Sequence, residues 1–339
     1  MMYDEVKKTY RLGMGKDRDM KLTCAILDDY QNVALRMADW ERLADRVDIR
    51  TYRAHFGGED EVAAAISDCD IVVVMRERTP FRGSLLRRLP KLKLLVTSGM
   101  RNASIDVAAA AELGIAVCGT GSRSEPPAEL TWALILGLLR RVPQEHASLR
   151  GNGPWQSTIG GDVHGKTLGV LGLGKIGTKV AAVGKAFGMD VVAWSSNLTR
   201  ERAEAEGVRL ATSLEALLTE SDVVTIHLVL SDRTRGLLGE AELRRMRPEA
   251  ILVNTSRAAI VDEPALVRAL TDGWIAGAAL DVFEQEPLPG DHPFRSLPNV
   301  LALPHLGYVT EANYRTYFRE AVEDIEAYLA GAPIRTLTP

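Results

Sequence analysis

The chain has 339 residues, of which 46% are hydrophobic and 25% are charged, with 29 glycines and 3 cysteines. This composition is typical of a soluble globular protein and excludes disordered, collagen-like and disulfide-scaffold chains, while the length suggests two domains. The formal net charge of -4 gives no overall basic field for binding nucleic acid or an anionic membrane surface.

The N-terminal residues 1–19 mix charges of both signs and lack the apolar stretch of a secretory signal. We therefore expect a cytoplasmic location. Because Met20 directly precedes the first strand-like run, we expect residues 1–19 to be a disordered extension or the result of an upstream start. The most apolar run, residues 130–139, is far shorter than the roughly 20 residues that span a bilayer, so it indicates a buried helix. The cysteines, Cys24, Cys69 and Cys118, form no CxxC pair, and we expect them to be reduced.

From residue 21 onward, short β-branched apolar runs alternate with longer amphipathic ones, as in parallel strands joined by helical crossovers. The first block predicts strands at residues 22–27, 48–52, 71–75, 94–97 and 115–118. Helices are predicted between them at residues 33–44, 59–67, 83–89 and 104–113. This pattern predicts one α/β unit.

A long helix over residues 129–149 is predicted to connect this unit to the next, kinked or ended near Pro143. The second block predicts strands at residues 167–171, 191–194, 223–228, 251–254, 277–280 and 300–303, which make a complete doubly wound sheet. A last helix over residues 311–329 repeats apolar side chains every three or four positions, so one face of it is apolar.

The segment GLGKIG directly follows a predicted strand and opens a predicted helix, the context that a dinucleotide-binding fingerprint requires. Gly172 suits a tight turn, Gly174 lets the backbone approach a pyrophosphate, and Gly177 lets helix and strand pack closely. Lys175 and Ile176 begin the helix, whose N-terminal N–H groups and dipole favour a phosphate. These five residues are predicted to bind the cofactor.

Dinucleotide folds usually place an acidic residue at the end of the second strand, where it binds the ribose hydroxyls. Here that position is Ser195, followed by Ser196 and Asn197, and no carboxylate is present to repel a 2′-phosphate. Arg200 and Arg202 lie just beyond, either near the cofactor or facing solvent from a helix. The sequence therefore leaves both NAD and NADP open.

Three polar residues fall beyond the ends of late strands: Arg257, Glu286 and His305. An arginine binds a carboxylate bidentately, a histidine transfers a proton near neutral pH, and a glutamate stabilises the imidazolium. Each residue taken alone has another interpretation, as a surface ion pair, a turn residue and a core histidine. Because ligands of doubly wound sheets bind beyond the carboxyl ends of the strands, together they favour a hydroxy-acid site.

The segments GKTLGVLGLGKIG, HLVLSDRTRGLL, ILVNTSRAAIVDEPALVRAL, ALDVFEQEPLP and LPHLGYVT resemble the D-isomer-specific 2-hydroxyacid dehydrogenases. The resemblance covers residues 21–330. It implies hydride transfer between NAD or NADP and C2 of a small 2-hydroxy acid. It also implies catalytic roles for Arg257, Glu286 and His305, and cofactor contacts for His227 and Asp281. No metal is expected, since the histidines show no HxH or HExxH spacing.

The resemblance also implies an architecture: a Rossmann NAD(P)-binding domain over residues 120–304, inserted in a flavodoxin-like substrate domain made of residues 20–119 and 305–339. The active site of such proteins lies in the cleft between the two domains. A homodimer packed through the dinucleotide domain is implied as well.

The loop that holds the substrate carboxylate in the family departs from the usual pattern, because Arg101 stands where relatives have glycine. Met100 and Arg101 are predicted to bind substrate through backbone N–H groups. The Arg101 side chain either adds an anion contact for a diacid or phosphorylated substrate, or pairs with a surface carboxylate. Arg76 and Arg78 follow the third strand, where either could reach the substrate, but we expect them to lie in a solvated loop.

Two other functions remain open at this point, a phosphite-type dehydrogenase and an NAD(H)-sensing, corepressor-like binding protein. Phosphite oxidation reuses the same three residues on an inorganic anion. Formate dehydrogenases, which resemble this chain, lack the equivalent of Glu286, and that residue speaks against their reaction.

Overall fold

The structure is a computed structural model that describes residues 21–339. The predicted extension over residues 1–19 lies outside the described residues. The described residues divide into two compact units, one made of residues 21–122 together with Thr310–Pro339, and one made of Arg123–Val309. The second unit therefore carries His305.

Strands are numbered along the chain: β1 Leu22–Ile26, β2 Val47–Thr51, β3 Ile71–Val74, β4 Leu94–Thr97, β5 Ala116–Gly119, β6 Thr167–Leu171, β7 Asp190–Trp194, β8 Arg209–Leu210, β9 Val223–Ile226, β10 Ile251–Asn254, β11 Gly277–Leu280 and β12 Val300–Ala302. The helices are α1 Ala34–Met37, α2 Glu59–Ile66, α3 Gly83–Leu86, α4 Val107–Glu112, α5 Glu125–Leu139, α6 Val142–Arg150, α7 Lys175–Ala186, α8 Arg200–Ala205, α9 Leu214–Glu220, α10 Glu240–Leu243, α11 Glu263–Thr271 and α12 Glu311–Leu329.

The first unit holds a parallel sheet in the order β2-β1-β3-β4-β5. This is the flavodoxin-like order of a doubly wound sheet, so the predicted class of this unit is confirmed. Strands β3, β4 and β5 are buried along their whole length, as the continuous apolar runs of parallel strands require. Helix α12 returns from the far end of the chain and packs on β4 of this unit.

The second unit holds a parallel sheet in the order β12-β11-β10-β9-β6-β7-β8. This is the Rossmann order with one additional strand, so the predicted class is confirmed here as well. The strand order reverses between β6 and β9, which makes their carboxyl ends a topological switch point. Because all the pairs are parallel, every strand ends at the same edge of the sheet.

Two predicted helices are broken in the structure. The predicted helix over residues 33–44 is α1 followed by a 3-10 turn at Trp40–Leu43, because Ala38 is extended and the Trp40 indole donates 2.9 Å to the carbonyl of Ala34. The predicted connector helix is α5 and α6, separated by Arg141 in the left-handed region with φ 56°. Pro143 lies in the first turn of α6, where it needs no hydrogen-bonded N–H.

None of the helices formed by residues 21–339 combines the length and hydropathy that a membrane span needs.

Candidate active site

The GLGKIG segment forms a tight loop between β6 and α7. Gly172 has φ 97°, and a Cβ on it would lie 2.8 Å from the carbonyl oxygen of His227. A Cβ on Gly177 would lie 2.0 Å from the carbonyl oxygen of Gly172, so helix and strand touch through glycine. Space is open at Gly174, where no atom lies within 4 Å of the Cβ position. The loop thus leaves room for a pyrophosphate at the N-terminus of α7, which begins at Lys175.

The end of β7 lies beside this loop, because the N–H of Gly172 donates 2.9 Å to the carbonyl of Trp194. Ser195 is half-buried, and Ser196 and Asn197 are exposed. The guanidinium of Arg202, on α8, donates 3.1 Å to the carbonyl of Leu173 within the glycine loop. The candidate ribose site therefore carries hydroxyl, amide and guanidinium groups.

His227 follows β9 at the switch point. Its Nε2 lies 3.0 Å from the hydroxyl of Thr225, and its backbone N–H donates 2.8 Å to Leu171. Burial lowers the pKa of His227 to about 3, so the ring is neutral at physiological pH. A neutral ring that is already hydrogen-bonded is unsuited to binding a phosphate by charge.

His305 and Glu286 form the predicted pair. Nδ1 of His305 lies 2.6 Å from Oε2 of Glu286, and Oε1 of Glu286 accepts 3.0 Å from the N–H of Phe283. The other ring nitrogen, Nε2, has no hydrogen-bond partner among residues 21–339. The imidazole therefore has one side held by a carboxylate and one side available to another molecule.

The backbone of His305 lies in the left-handed region, with φ 55°. Asp281, directly after β11, holds the next two residues: Oδ1 accepts 2.6 Å from the N–H of Leu306 and Oδ2 accepts 2.8 Å from that of Gly307. Burial raises the pKa of Asp281 to about 6, opposed by these hydrogen bonds. Asp281 thus fixes the turn that carries His305, and its predicted cofactor contact stays a prediction.

Arg257 follows β10, the strand paired with β11. The side chain of Asn254, buried at the end of β10, donates 3.0 Å to the carbonyl of Arg257 and accepts 3.0 Å from the N–H of Ser256. The carbonyl of Asn254 accepts 3.0 Å from the N–H of Asp281. Arg257 and His305 are thus connected through Asn254 and Asp281.

The other predicted substrate residues, Met100 and Arg101, are exposed beyond β4 in the first unit. Their loop is held by Asn102, whose amide donates 2.7 Å to the carbonyl of Arg76 and 2.9 Å to the hydroxyl of Thr97. Substrate binding by Met100 and Arg101 stays a prediction.

The expectation of a solvated loop at Arg76 and Arg78 is wrong. Arg76 is half-buried and donates 3.3 Å to the carbonyl of Ser98. Arg78 donates 3.0 Å to the carbonyl of Asp28 and stacks 4.5 Å from the ring centre of Tyr30. The aliphatic part of an arginine side chain packs on neighbouring residues, and its planar guanidinium stacks on aromatic rings. The sequence prediction considered only the charge and therefore placed both residues in solvent.

The sequence analysis did not predict a role in this site for two residues, Asn254 and Tyr308. Asn254 organises the Arg257 loop, and the signal available was a lone amide at the end of a buried strand. Tyr308 has its ring centre 5.2 Å from that of His305, edge to face. The signal for Tyr308 was an aromatic residue three positions after the histidine.

Comparison with known proteins places this geometry in a family. Residues 132–307 match the model of the D-isomer specific 2-hydroxyacid dehydrogenase, NAD binding domain. A glyoxylate reductase from Aeropyrum pernix is 44% identical over 256 residues, which are 73% of this chain and 76% of that protein. The chain belongs to the D-isomer-specific 2-hydroxyacid dehydrogenase family.

Other members of the family extend the comparison. A D-3-phosphoglycerate dehydrogenase from Methanocaldococcus jannaschii is 38% identical over 276 residues, which are 80% of this chain but 52% of that protein. The chain thus spans about half the length of that relative. The crystal structure of a phosphoglycerate oxidoreductase from Vibrio cholerae O395 has 36% identity and a TM-score of 0.87, covering 92% of this chain and 100% of that one.

Membership in the 2-hydroxyacid dehydrogenase family makes the chain an oxidoreductase that acts on CH–OH donors with a nicotinamide dinucleotide. The residues present fit that group: the glycine loop leaves space at Gly174, and α7 offers its N-terminus to the phosphates.

Proposed function

We propose that this protein is an NAD(P)-dependent D-2-hydroxyacid dehydrogenase, which also catalyses the reverse reaction, the reduction of a 2-keto acid. His305 is proposed as its general acid and base. The observation that carries the proposal is the 2.6 Å contact between His305 Nδ1 and Glu286 Oε2, which leaves Nε2 available. The pair lies at the sheet edge that also carries the glycine loop.

The bound nicotinamide supplies the hydride in reduction and accepts it in oxidation. In oxidation, Nε2 of His305 takes the proton of the substrate hydroxyl, and the carboxylate of Glu286 stabilises the imidazolium that forms. In reduction, the imidazolium donates that proton to the oxygen at C2. The left-handed backbone of His305, held by Asp281, keeps the ring in place before substrate binds.

Arg257 is proposed to bind the substrate carboxylate and, in reduction, to polarise the keto oxygen. Asn254 holds its backbone carbonyl, and its guanidinium donates 2.8 Å to the carbonyl of Ser256, so the guanidinium starts from a defined position. Backbone N–H groups at Met100 and Arg101 are proposed as further carboxylate contacts.

The substrate proposed is a short 2-keto acid such as glyoxylate. Support comes from the relatives named glyoxylate reductases, of which the chain covers about three quarters of the length, against about half for the phosphoglycerate dehydrogenases.

The test is turnover of a panel of 2-keto acids, including phosphorylated and dicarboxylic members, followed by nicotinamide absorbance with NADH and NADPH in parallel. His305→Ala is the control, and we expect glyoxylate turnover that this variant loses. Tight cofactor binding without turnover of any member would contradict the proposal. It would favour the phosphite-type or the sensor alternative, and phosphite oxidation would separate these two.

We also propose a homodimer formed through the second unit. Helix α6 has no buried residue, and it exposes 55% of Val142 and 60% of Leu149. The loop after it exposes 79% of Trp155 and 96% of Ile159. Monomeric proteins rarely expose so many large apolar side chains in one segment, and a second copy of the chain would cover them.

Light scattering after size exclusion tests this homodimer. We expect the wild type to elute as a dimer, and Trp155→Asp with Ile159→Asp to shift it toward monomer. Val183→Asp, an apolar residue that is 38% exposed on α7, is the control that should remain dimeric. A monomeric wild type would contradict the proposal.

A further inference from the structure

The end of β7 offers no carboxylate to a ribose. Ser195, Ser196 and Asn197 follow the strand directly, and the first acidic residue beyond them is Glu201, on α8. An acidic side chain at the end of this strand binds the 2′-hydroxyl of NAD and repels the 2′-phosphate of NADP. This site therefore lacks the group that selects against NADP.

Glu201 does not replace the missing acid. Hydrogen bonds from its own backbone N–H and from the Thr199 hydroxyl lower the pKa of its carboxyl. It is ionised at neutral pH, and it lies on α8, six residues beyond Ser195, rather than at the end of β7.

Arg202 is held where the missing acid leaves space. Its guanidinium donates 3.1 Å to the carbonyl of Leu173, which lies between Gly172 and Gly174. The N–H of Gly172 in turn donates 2.9 Å to the carbonyl of Trp194, the residue before Ser195. Ser195 and Arg202 therefore flank the same loop, one from the strand end and the other from the helix.

A single carbonyl leaves most of this guanidinium unused. An arginine side chain carries five N–H donors. Among residues 21–339, the carbonyl of Leu173 is the one acceptor that the Arg202 side chain has. The side chain is otherwise exposed. A planar fork of free donors beside hydroxyl groups is suited to a phosphate rather than to a ribose hydroxyl alone.

We propose that this site selects NADP over NAD, with Arg202 binding the 2′-phosphate and Ser195, Ser196 and Asn197 supplying neutral hydrogen bonds around it. This inference rests on the proposed dehydrogenase function and names the cofactor of that same site. Arg200 lies two residues away on α8, is exposed, and has no hydrogen bond among residues 21–339.

The test is equilibrium binding, which does not depend on turnover. NADPH and NADH are titrated by their own fluorescence, and 2′,5′-ADP and 5′-AMP by calorimetry. The proteins compared are the wild type, Arg202→Ala, Arg200→Ala and Ser195→Asp.

We expect the wild type to bind NADPH and 2′,5′-ADP roughly 10- to 100-fold more tightly than NADH and 5′-AMP, the range that charge-assisted hydrogen bonds give. Arg202→Ala should remove this difference by weakening the 2′-phosphate compounds. Arg200→Ala should retain it, and Ser195→Asp should reverse the preference toward NADH. The melting temperature of each variant checks that it is folded.

Tight NADH binding with no gain for NADPH would overturn the NADP assignment and leave the dehydrogenase proposal standing. Loss of the preference in Arg200→Ala but not in Arg202→Ala would overturn the role of Arg202. Failure of the wild type to bind either dinucleotide would overturn the proposed function, and this inference with it.

Discussion

Nδ1 of His305 lies 2.6 Å from Oε2 of Glu286, although 19 residues separate the two along the chain. Their loops leave neighbouring parallel strands, β12 and β11, so the sheet brings them to one edge. The contact uses one ring nitrogen and leaves the other for substrate. A carboxylate beside the ring can stabilise the imidazolium that forms when the ring takes up a proton during the reaction.

Replacing Glu286 with glutamine should slow keto acid reduction by roughly 100-fold, within the range that positioned acid and base groups contribute. Glutamine keeps an oxygen for Nδ1 but removes the negative charge, so the imidazolium that forms during the reaction loses its stabilising partner. The kcat for keto acid reduction, followed by nicotinamide absorbance, should fall while the melting temperature and the dinucleotide affinity stay near those of the wild type. Glu284→Gln, in the same loop and exposed, is the matched control. A kcat equal to that of the wild type would contradict the role of Glu286.

Asp281→Asn should disturb the turn after His305 and reduce kcat. An amide has one acceptor oxygen, so the N–H of Leu306 or Gly307 loses its partner, at a cost of about 1–3 kcal/mol. We expect a lower melting temperature and a lower kcat, while NADPH or NADH binding changes less. Asp291→Asn, at an exposed position, is the control. If cofactor affinity fell while kcat held, Asp281 would be a cofactor contact rather than a positioning residue.

The glycine loop allows stability to be separated from cofactor binding. Gly177→Ala places a methyl group 2.0 Å from the carbonyl oxygen of Gly172, and we expect a loss of about 1–3 kcal/mol or more in unfolding free energy. Gly174→Ala meets no atom within 4 Å, so its melting temperature should match the wild type while its dinucleotide affinity falls. Thermal melts and fluorescence titration check both variants. Unchanged affinity in Gly174→Ala would argue against a pyrophosphate at this loop.

Asp324, buried on α12, should make stability depend on pH. Its Oδ1 accepts 2.9 Å from Arg335, while its Oδ2 has no hydrogen-bond partner. Burial raises its pKa to about 7, with Arg335 opposing the shift and Glu320 and Glu323 adding to it. The folded state therefore binds the proton more tightly than the unfolded state, and this contribution to stability is lost as pH rises from about 4 toward 7.

Asp324→Asn should remove that dependence. The melting temperature of the variant minus that of the wild type should be larger at pH 8 than at pH 5. Differential scanning fluorimetry across this pH range measures the difference. Glu311→Gln, at an exposed position at the start of the same helix, should follow the pH dependence of the wild type. A constant difference between Asp324→Asn and the wild type at all pH values would contradict the account.

Much of the fold could be predicted from the sequence because parallel strands and their helices are periodic. The bounds predicted for β4, β6, β10, β11 and α12 agree with the structure. Strand β8 has two residues, too few for any pattern to indicate. The break after α1 depends on Trp40 bonding a carbonyl six residues earlier, which no periodicity encodes.

Some residues of the candidate site could likewise be predicted from the sequence, and others could not. Gly172 and Gly177 could be predicted because the tight turn and the helix–strand contact exclude a side chain, and Gly174 because a side chain there would occupy the space proposed for the pyrophosphate. The pairing of Glu286 with His305 could be proposed because both follow late strands. The role of Asn254 depends on how the loop after β10 folds back onto its side chain. The role of Asp281 depends on hydrogen bonds to the loop after β12, which follow only from the tertiary structure.

The most direct test of the account follows the hydride and the proton together. The wild type and His305→Ala are incubated with glyoxylate and with NADH or NADPH that carries deuterium at C4 of the reduced nicotinamide ring, and the product is analysed by mass spectrometry and NMR. The account predicts deuterium at C2 of the 2-hydroxy acid formed by the wild type and a rate at least 100-fold lower for His305→Ala, with cofactor binding retained. Equal rates of labelled product from the two proteins would contradict His305 as the proton carrier.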